Sequence, residues 1–361
     1  KILDLSRDFI NTNGASQNTD VFVSEPDERE NYFSRLPDGY EEGNFSKSLL
    51  STLNSLQCCS RKGLVERFDS TIGAGTVLMP FGGKTQSSPE IGMAAKIPLM
   101  EGETNTTSVM TFGFDPYISQ WSPFHGAYYA VYESLAKITA LGADPFKSRL
   151  TFQEYFERLG IDPYKWGKPF SALLGAYKAQ LDFCTPAIGG KDSMSGTFKD
   201  ITVPPTLVSF AVGITNSDKI LSATFTEAGR SVILLPLVKG QDMLPDNNIV
   251  KMQFNAAKNW NKSGIISASS VVREGGIAVA VAKMCFGNET GFEFISDFDK
   301  KDLFKPDTGS IIIEIKVKLD ELSDDPDFNK LKEINAIKIL GRTIDEKAVF
   351  CKDESVEIYD C

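Results

Sequence analysis

The sequence predicts a chain of two units, each mixing strands and helices in α/β or α+β layers. Three observations carry this. The chain has 361 residues, more than one ordinary domain holds. Apolar runs of strand length and of helix length follow one another along it. That pattern stops at Thr215-Asn216-Ser217-Asp218 and then restarts. The expected division is an arm and linker over 1–55, a first unit over 56–217 and a second over 218–361. With 42% apolar and 24% charged residues, both units have material for a core.

The elements follow in order. Residues 1 to about 45, with "TNGASQNTD" and "EPDERENYF", are polar and turn-rich and read as an arm. Leu49 to Leu56 shows an apolar face. "GLVERFDSTIGAGTVLMP" reads as strand, turn, strand. "MAAKIPLM" and "TTSVMTFGF" are short apolar runs that suit buried strands. "SPFHGAYYAVYESLAKITALGADP" is the clearest helix: Ser122 suits the N-cap, Pro123 the first turn and Gly142 the stop. "PFSALLGAYKAQLDFC" reads as a second helix and "TLVSFAVGI" as a strand. After the restart, "RSVILLPL" is a buried strand and "GGIAVAVAKMCFG" a helix opened by two glycines. "GSIIIEIKVK", "AIKILGRTI" and "AVFCKD" are further short strands.

Composition narrows the partners. Lys+Arg 38 against Asp+Glu 48 gives −10, which argues against a nucleic-acid backbone as ligand. No apolar run approaches the roughly 20 residues that cross a bilayer, and the opening residues lack a signal-peptide pattern. Six scattered cysteines and one histidine give no zinc spacing. A reduced, cytoplasmic protein is the expectation. The start on Lys1, in mid-pattern, predicts a piece of something longer.

The chemistry-bearing stretch is "PAIGGKDSMSG", Pro186 to Gly196. Gly189 and Gly190 permit a sharp turn and a close approach of backbone N–H groups to an anion. Lys191 adds positive charge; Ser193 and Ser195 add donors. The Walker spacing is absent. The residues alone leave two readings, a solvated strand-end turn or an oxyanion or phosphate site. Glu133 and Lys137 lie four apart on the strongest helix and share a face. They read either as an intrahelical ion pair or as the remnant of a metal or nucleotide site. His125, in the first turn of that helix, is structural or touches ligand. Asp69 and Asp115 each end an apolar run, as caps or as ligands. Cys184 has no visible base beside it and reads as core packing.

Several stretches together are specific. "ERFDSTIGAGTVLMP", "SPFHGAYYAVYESLAKITALGADP", "PAIGGKDSMSGTF", "PPTLVSFAVGI" and "SSVVREGGIAVAVAKM" occur in the order seen in phosphoribosylformylglycinamidine synthase of the long, single-chain form. The resemblance covers nearly the whole chain, most firmly Gly63 to Gly291. It implies the aminoimidazole ribonucleotide synthetase fold: an N-terminal mixed-sheet α+β domain, then a C-terminal α/β domain. The family carries two such copies, paired through their N-terminal domains, and then a glutaminase domain. This sequence resembles the second copy alone.

The family reaction uses ATP and Mg²⁺ to activate the formyl-amide oxygen of formylglycinamide ribonucleotide, and ammonia from glutamine then displaces the phosphate. The resemblance implies that Gly190, Lys191, Asp192, Ser193 and Ser195 line the substrate-side cleft. It implies an auxiliary nucleotide–magnesium site around Glu133, Lys137 and His125, but with departures. Lys137 stands where the family has an asparagine, and Ser270-Val271 where it has His-Asp. Glu90 is the nearest candidate for an aspartate after the "MP" strand. An ammonium has no lone pair for Mg²⁺, so no metal is expected there, and a Glu133–Lys137 ion pair is. The expected partners are the first synthetase half and the glutaminase domain. A homodimer would bury the pairing face in their place. Two alternatives stand beside this: a non-catalytic scaffold half, and a stand-alone ATP enzyme such as aminoimidazole ribonucleotide synthetase or selenophosphate synthetase.

Overall fold

The structure, a computed structural model, describes residues 1–12, 18–67, 71, 73–295 and 298–361. Beyond a short helix at Arg7–Thr12, helix α1 (Phe45–Leu53) is followed by a five-stranded sheet. Its strands are β1 (Met93–Lys96), β2 (Thr106–Gly113), β3 (Arg149–Tyr155), β4 (Ala187–Lys191) and β5 (Thr206–Asn216). The spatial order is β1-β2-β5-β3-β4. Only β3 and β4 run parallel. Helix α2 (Pro123–Ala140) connects β2 to β3, and α3 (Pro163–Phe183) makes the crossover that a parallel pair needs.

The capping pattern set α2 correctly. The Ser122 hydroxyl accepts from the His125 N–H. Gly142 ends the helix at φ +91, where a Cβ would meet the Lys219 carbonyl oxygen at 2.1 Å. Helix α3 begins earlier than the sequence reading placed it. Asp162 caps it, Pro163 fills the first turn, and Pro169 lies inside. Both prolines suit a first turn, and the Asp-Pro pair is the one that nucleates.

Seven strands form the second sheet: β6 (Ser231–Leu235), β7 (Ile266–Val271), β8 (Gly291–Phe294), β9 (Ile311–Ile315), β10 (Lys338–Ile344), β11 (Ala348–Cys351) and β12 (Glu354–Glu357). The order is β7-β9-β6-β10-β8-β11-β12, antiparallel except for β8 with β11. Helices α4 (Asn247–Lys262) and α5 (Gly276–Phe286) cover it from opposite faces. Alternation along β6 sends Ile233 and Leu235 to the core that contains α2 and α4. Val232 and Leu234 go to the core that contains α1 and α5. A sheet buried on both faces explains the unbroken apolar runs in "SVILL" and "SIII".

Helix α2 lies between the two sheets. All residues from Gly126 to Ala140 are buried, which its apolar composition on every face requires. Val109 and Ala211 of the first sheet share one cluster with Ile311 and Ile313 of the second. The first sheet is covered by α2 and α3 on one face only. On the other, Met110, Phe112 and Ile214 are 43%, 44% and 56% exposed.

Three expectations are corrected. The stretch from Gly63 to Pro80 contains a short helix, Lys62–Val65, and a tight turn at Gly73–Gly75 in place of two strands. Beyond that turn the chain crosses β1, with Val77 N–H and Leu78 N–H both donating to the Ala94 carbonyl. Asp69 lies outside the described residues. The polar arm carries a buried anchor: Tyr32 and Phe33 pack into the core, and the Tyr32 hydroxyl donates to Asp115 at 2.6 Å. Cys184 is exposed, because α3 ends there in the left-handed conformation (φ +53), turning the residue out of the core. Among the described residues no helix is long and apolar enough to cross a membrane.

Candidate functional site

The first candidate centres on α2. One helical turn brings Glu133 and Lys137 together, with Nζ 2.6 Å from Oε1 and side chains 1% and 2% exposed. The expected ion pair is formed, and a third group joins it. Arg273, on the loop between β7 and α5, places Nε 2.6 Å from the same carboxylate oxygen. The Phe114 N–H donates to Oε2 at 3.1 Å, and Lys137 donates to the Phe112 carbonyl at 2.7 Å. Burial pulls the Glu133 carboxyl upward, yet the charges of Arg273 and Lys137 outweigh it and hold it below its usual range. Burial, with repulsion from Arg273, brings Lys137 down to about 8 against the pull of Glu133.

Beside this cluster lies a cavity of about 620 Å³. Arg61, Glu90, Phe112, Lys137, Arg273 and Lys283 stand on its wall, as do Ser270 and Val271. Glu90 is held by the Ser222 hydroxyl and by the Ala223 N–H at 2.9 Å. No cation pairs with it among the described residues, and burial pushes its carboxyl up to about 7.

His125 does not stand on that wall. Its Nδ1 lies 2.7 Å from the Ser122 hydroxyl and its Nε2 2.9 Å from the Asp242 carbonyl oxygen. Its own chain thus engages both ring nitrogens, and burial lowers its pKa. Asp115 is a cap, accepting from the Tyr117 and Ile118 N–H groups. Burial pushes its carboxyl up to about 6.

The second candidate is the loop after edge strand β4. A Cβ at Gly190 would meet the Phe152 carbonyl oxygen at 2.6 Å, so glycine is needed for β4 to pair with β3. Lys191 pairs with Gln153, and Gln153 with Val208. That register puts Lys191 on the uncovered face of the sheet. Among the described residues its ammonium meets only the Asp192 carbonyl, at 3.1 Å. Ser193 and Ser195 share one hydrogen bond, Oγ to Oγ 3.0 Å, and the Ser193 N–H donates to the Glu154 carbonyl. Gly189, Gly190, Lys191, Asp192 and Ser195 are exposed and Ser193 is half-buried. No loop residue lines the cavity, so the structure does not bring the two candidates together.

Sequence reasoning missed Arg273, Arg61 and Lys283. A signal existed for Arg273. It is a charge placed directly after the apolar end of a strand and before the glycine pair, where a solvated residue has little room.

No family model matches the chain. Curated relatives do. The phosphoribosylformylglycinamidine synthase subunit PurL of Staphylococcus haemolyticus is 22% identical, over 82% of this chain and 41% of its own length. The same subunit of Thermoplasma volcanium is 21% identical over 94% of this chain and 45% of its own. In Picrophilus torridus it is 22% identical over 97% and 46%. The chain therefore spans less than half the length of the curated relatives it matches. Among solved structures, Thermotoga maritima PurL complexed with FGAR superposes with a TM-score of 0.66, at 13% identity, over 89% of this chain and 54% of that one. The HypE–HypF complex gives 0.56 at 12% identity, over 82% and 97%. These neighbours share the mixed α+β fold of the aminoimidazole ribonucleotide synthetase kind that the resemblance implied. Along most of its length the chain is similar in sequence to the phosphoribosylformylglycinamidine synthase subunit PurL, and in fold to rather less than one PurL chain.

Proposed function

We propose that this chain serves as the second synthetase half of a ligase of purine biosynthesis, one that converts formylglycinamide ribonucleotide to formylglycinamidine ribonucleotide. The observation that carries the reading is the exposed loop Gly189–Ser195 at the rim of an uncovered apolar sheet face. The Lys191 ammonium and the hydroxyls of Ser193 and Ser195 suit a ribonucleotide phosphate. In this role they bind and orient the substrate at a cleft shared with the first half. Bound ATP would supply the phosphoryl group that makes the amide oxygen a leaving group. Glutamine, through a glutaminase domain, would supply the ammonia. The solved relatives with FGAR, ATP or ADP support this reading. The six free cysteines are consistent with a reducing, cytoplasmic setting.

The auxiliary metal–nucleotide site around Glu133, Lys137 and His125 is, in this reading, degenerate. Two cations lie 2.6 Å from one Glu133 carboxylate oxygen, the Phe114 N–H donates to the other, and His125 is engaged elsewhere. These residues do not fit a divalent cation.

Two measurements test the proposal. The purified chain is expected to give no amidine from formylglycinamide ribonucleotide, ATP and either glutamine or ammonia. Turnover above background would favour a stand-alone enzyme and end the half-enzyme reading. The uncovered face of Met110, Phe112, Phe210 and Ile214 is the proposed pairing surface. The isolated chain should then self-associate through it. Ile214→Asp should return it to monomer in sedimentation equilibrium, with an unchanged circular-dichroism spectrum because the side chain is exposed. A wild-type chain that stays monomeric at about 100 μM, an affinity bound of about 5.5 kcal/mol, would remove the pairing surface from the proposal.

A further inference from the structure

We infer that the outer face of α3 is the docking surface for the amphipathic segment Ile2–Ile10 of this chain's own arm. The inference goes beyond the synthetase-half reading and does not rest on it, since α3 lies on the side of the first sheet away from the proposed pairing surface.

The argument begins with a helix that has two apolar faces. Ala172, Gly175, Ala176, Ala179 and Phe183 of α3 are buried, and they account for its packing against α2. Phe170, Leu173, Leu174, Tyr177 and Leu181 recur at helical spacing on the opposite side. They are between 41% and 60% exposed. An ordinary surface helix carries polar residues there. A contiguous apolar stripe about 16 Å long marks an interaction surface.

The arm supplies the complementary piece. It is not polar throughout: Ile2, Leu3, Leu5, Phe9 and Ile10 are all exposed. Ile2 and Phe9, Leu3 and Ile10, and Leu5 and Phe9 stand seven, seven and four apart, so on a helix they share one side, with Lys1, Asp4 and Arg7 on the other. Arg7–Thr12 is already a helix of six residues. A helix that short is not stable alone and takes its stability from a surface beneath its apolar side.

The same arm is already fastened to α3. The Phe22 N–H donates to the Pro163 carbonyl at 3.1 Å, and the Phe22 and Tyr164 rings lie 5.4 Å apart. A Cβ at Gly167 would meet the Phe22 carbonyl oxygen at 2.0 Å, so glycine there lets the arm cross the helix closely. From Phe22 back to Ile10 the chain spans up to about 40 Å. The stripe ends at Leu181, about 21 Å along the helix from Gly167, so the segment reaches all of it. Area decides between occupants. Five side chains about half exposed offer roughly 500 Å², less than the ~800 Å² per partner that a stable contact between separate chains uses. A tethered segment needs less, because its effective concentration is in the millimolar range.

Hydrogen exchange on the whole chain, read by mass spectrometry over Arg7–Thr12, tests the docking. At about 1 μM protein these amides should exchange about tenfold more slowly than in a free peptide, a protection that a helix this short does not reach without a partner. Leu173→Asp on α3 and Phe9→Asp on the segment should each abolish the protection. The two together should do no more than either alone, a coupling that only a shared contact produces. Exchange in α2 should stay as in the wild type, because both side chains are exposed. Tyr177→Ser serves as a second variant on the stripe in case Leu173→Asp disturbs α3 itself. Unprotected amides in the wild type overturn the proposal, as does protection that survives both stripe variants. Protection that grows between about 1 and about 50 μM would give the stripe to a second copy and overturn the arm as its occupant.

Discussion

Glu133→Ala is expected to lower the unfolding free energy by about 3–5 kcal/mol, the usual cost of breaking a buried ion pair from one side. Among the described residues the carboxylate is the sole counter-charge within 2.6 Å of both Lys137 and Arg273. Its removal leaves the buried Lys137 ammonium facing the half-buried Arg273 guanidinium, and the Phe114 N–H without its acceptor. Urea denaturation measures the loss. Its pH dependence has a definite sign. The wild-type Lys137 has a folded pKa of about 8 against 10.5 in the unfolded chain. The unfolded state therefore binds more protons between those values, and stability rises with pH across that window. In Glu133→Ala the attraction that held the proton is gone, so the window should open lower, and the variant should recover stability from neutral pH upward. Glu133 acts in the same sense in an acid window: its folded pKa is depressed, so its contribution is present above the unfolded value and lost as acid protonates it. Adding Lys137→Met to Glu133→Ala should restore part of the loss. A deficit below about 1 kcal/mol would mean that the triad relaxes into solvent and is not the closed cluster described.

Lys191→Ala, introduced into the full-length protein that contains this half, is expected to lower kcat/KM for formylglycinamide ribonucleotide by about 10- to 100-fold. That is the range for losing one charged hydrogen bond to a phosphate. The loss should appear mainly in KM, because phosphate binding is shared by ground and transition states. The isolated chain carrying the same change should keep its Tm, since the ammonium is exposed and among the described residues meets only the Asp192 carbonyl. Ser193→Ala should cost less, because the shared Ser193–Ser195 bond leaves the second hydroxyl free to turn. An unchanged kcat/KM in Lys191→Ala would separate the loop from the substrate.

Helix α2 and several strands were legible in the sequence because their signals are local, whereas β3, β7, β8 and β12 were not read. A serine cap, a proline and a terminal glycine bound the helix, and alternation or apolar runs mark β2, β5, β6 and β9. The Glu133–Lys137 pair was legible for the same reason, as a spacing of four. Arg273 was not, because 136 residues separate it from Lys137 and only the apposition of the first sheet to the loop after β7 joins them. Helix α4 was passed over although Val250, Phe254 and Ala257 recur at helical spacing and are buried. Its many Asn and Lys residues mask that stripe. The segment between Gly63 and Pro80 misled for a physical reason. Its apolar residues lie across the edge of β1, and apolar content alone does not separate crossing from pairing.

Helix α2 has no face of its own left to solvent, and this bears on where the chain can come apart. The connection near Ser217 divides the two sheets in the order of the backbone. It does not divide them in free energy, because the same helix is the inner wall of both. Neither sheet can lose its packing without exposing the other's. Cooperativity in this chain is therefore a property of one shared helix, and the seam visible in the sequence is not the seam along which the protein would melt.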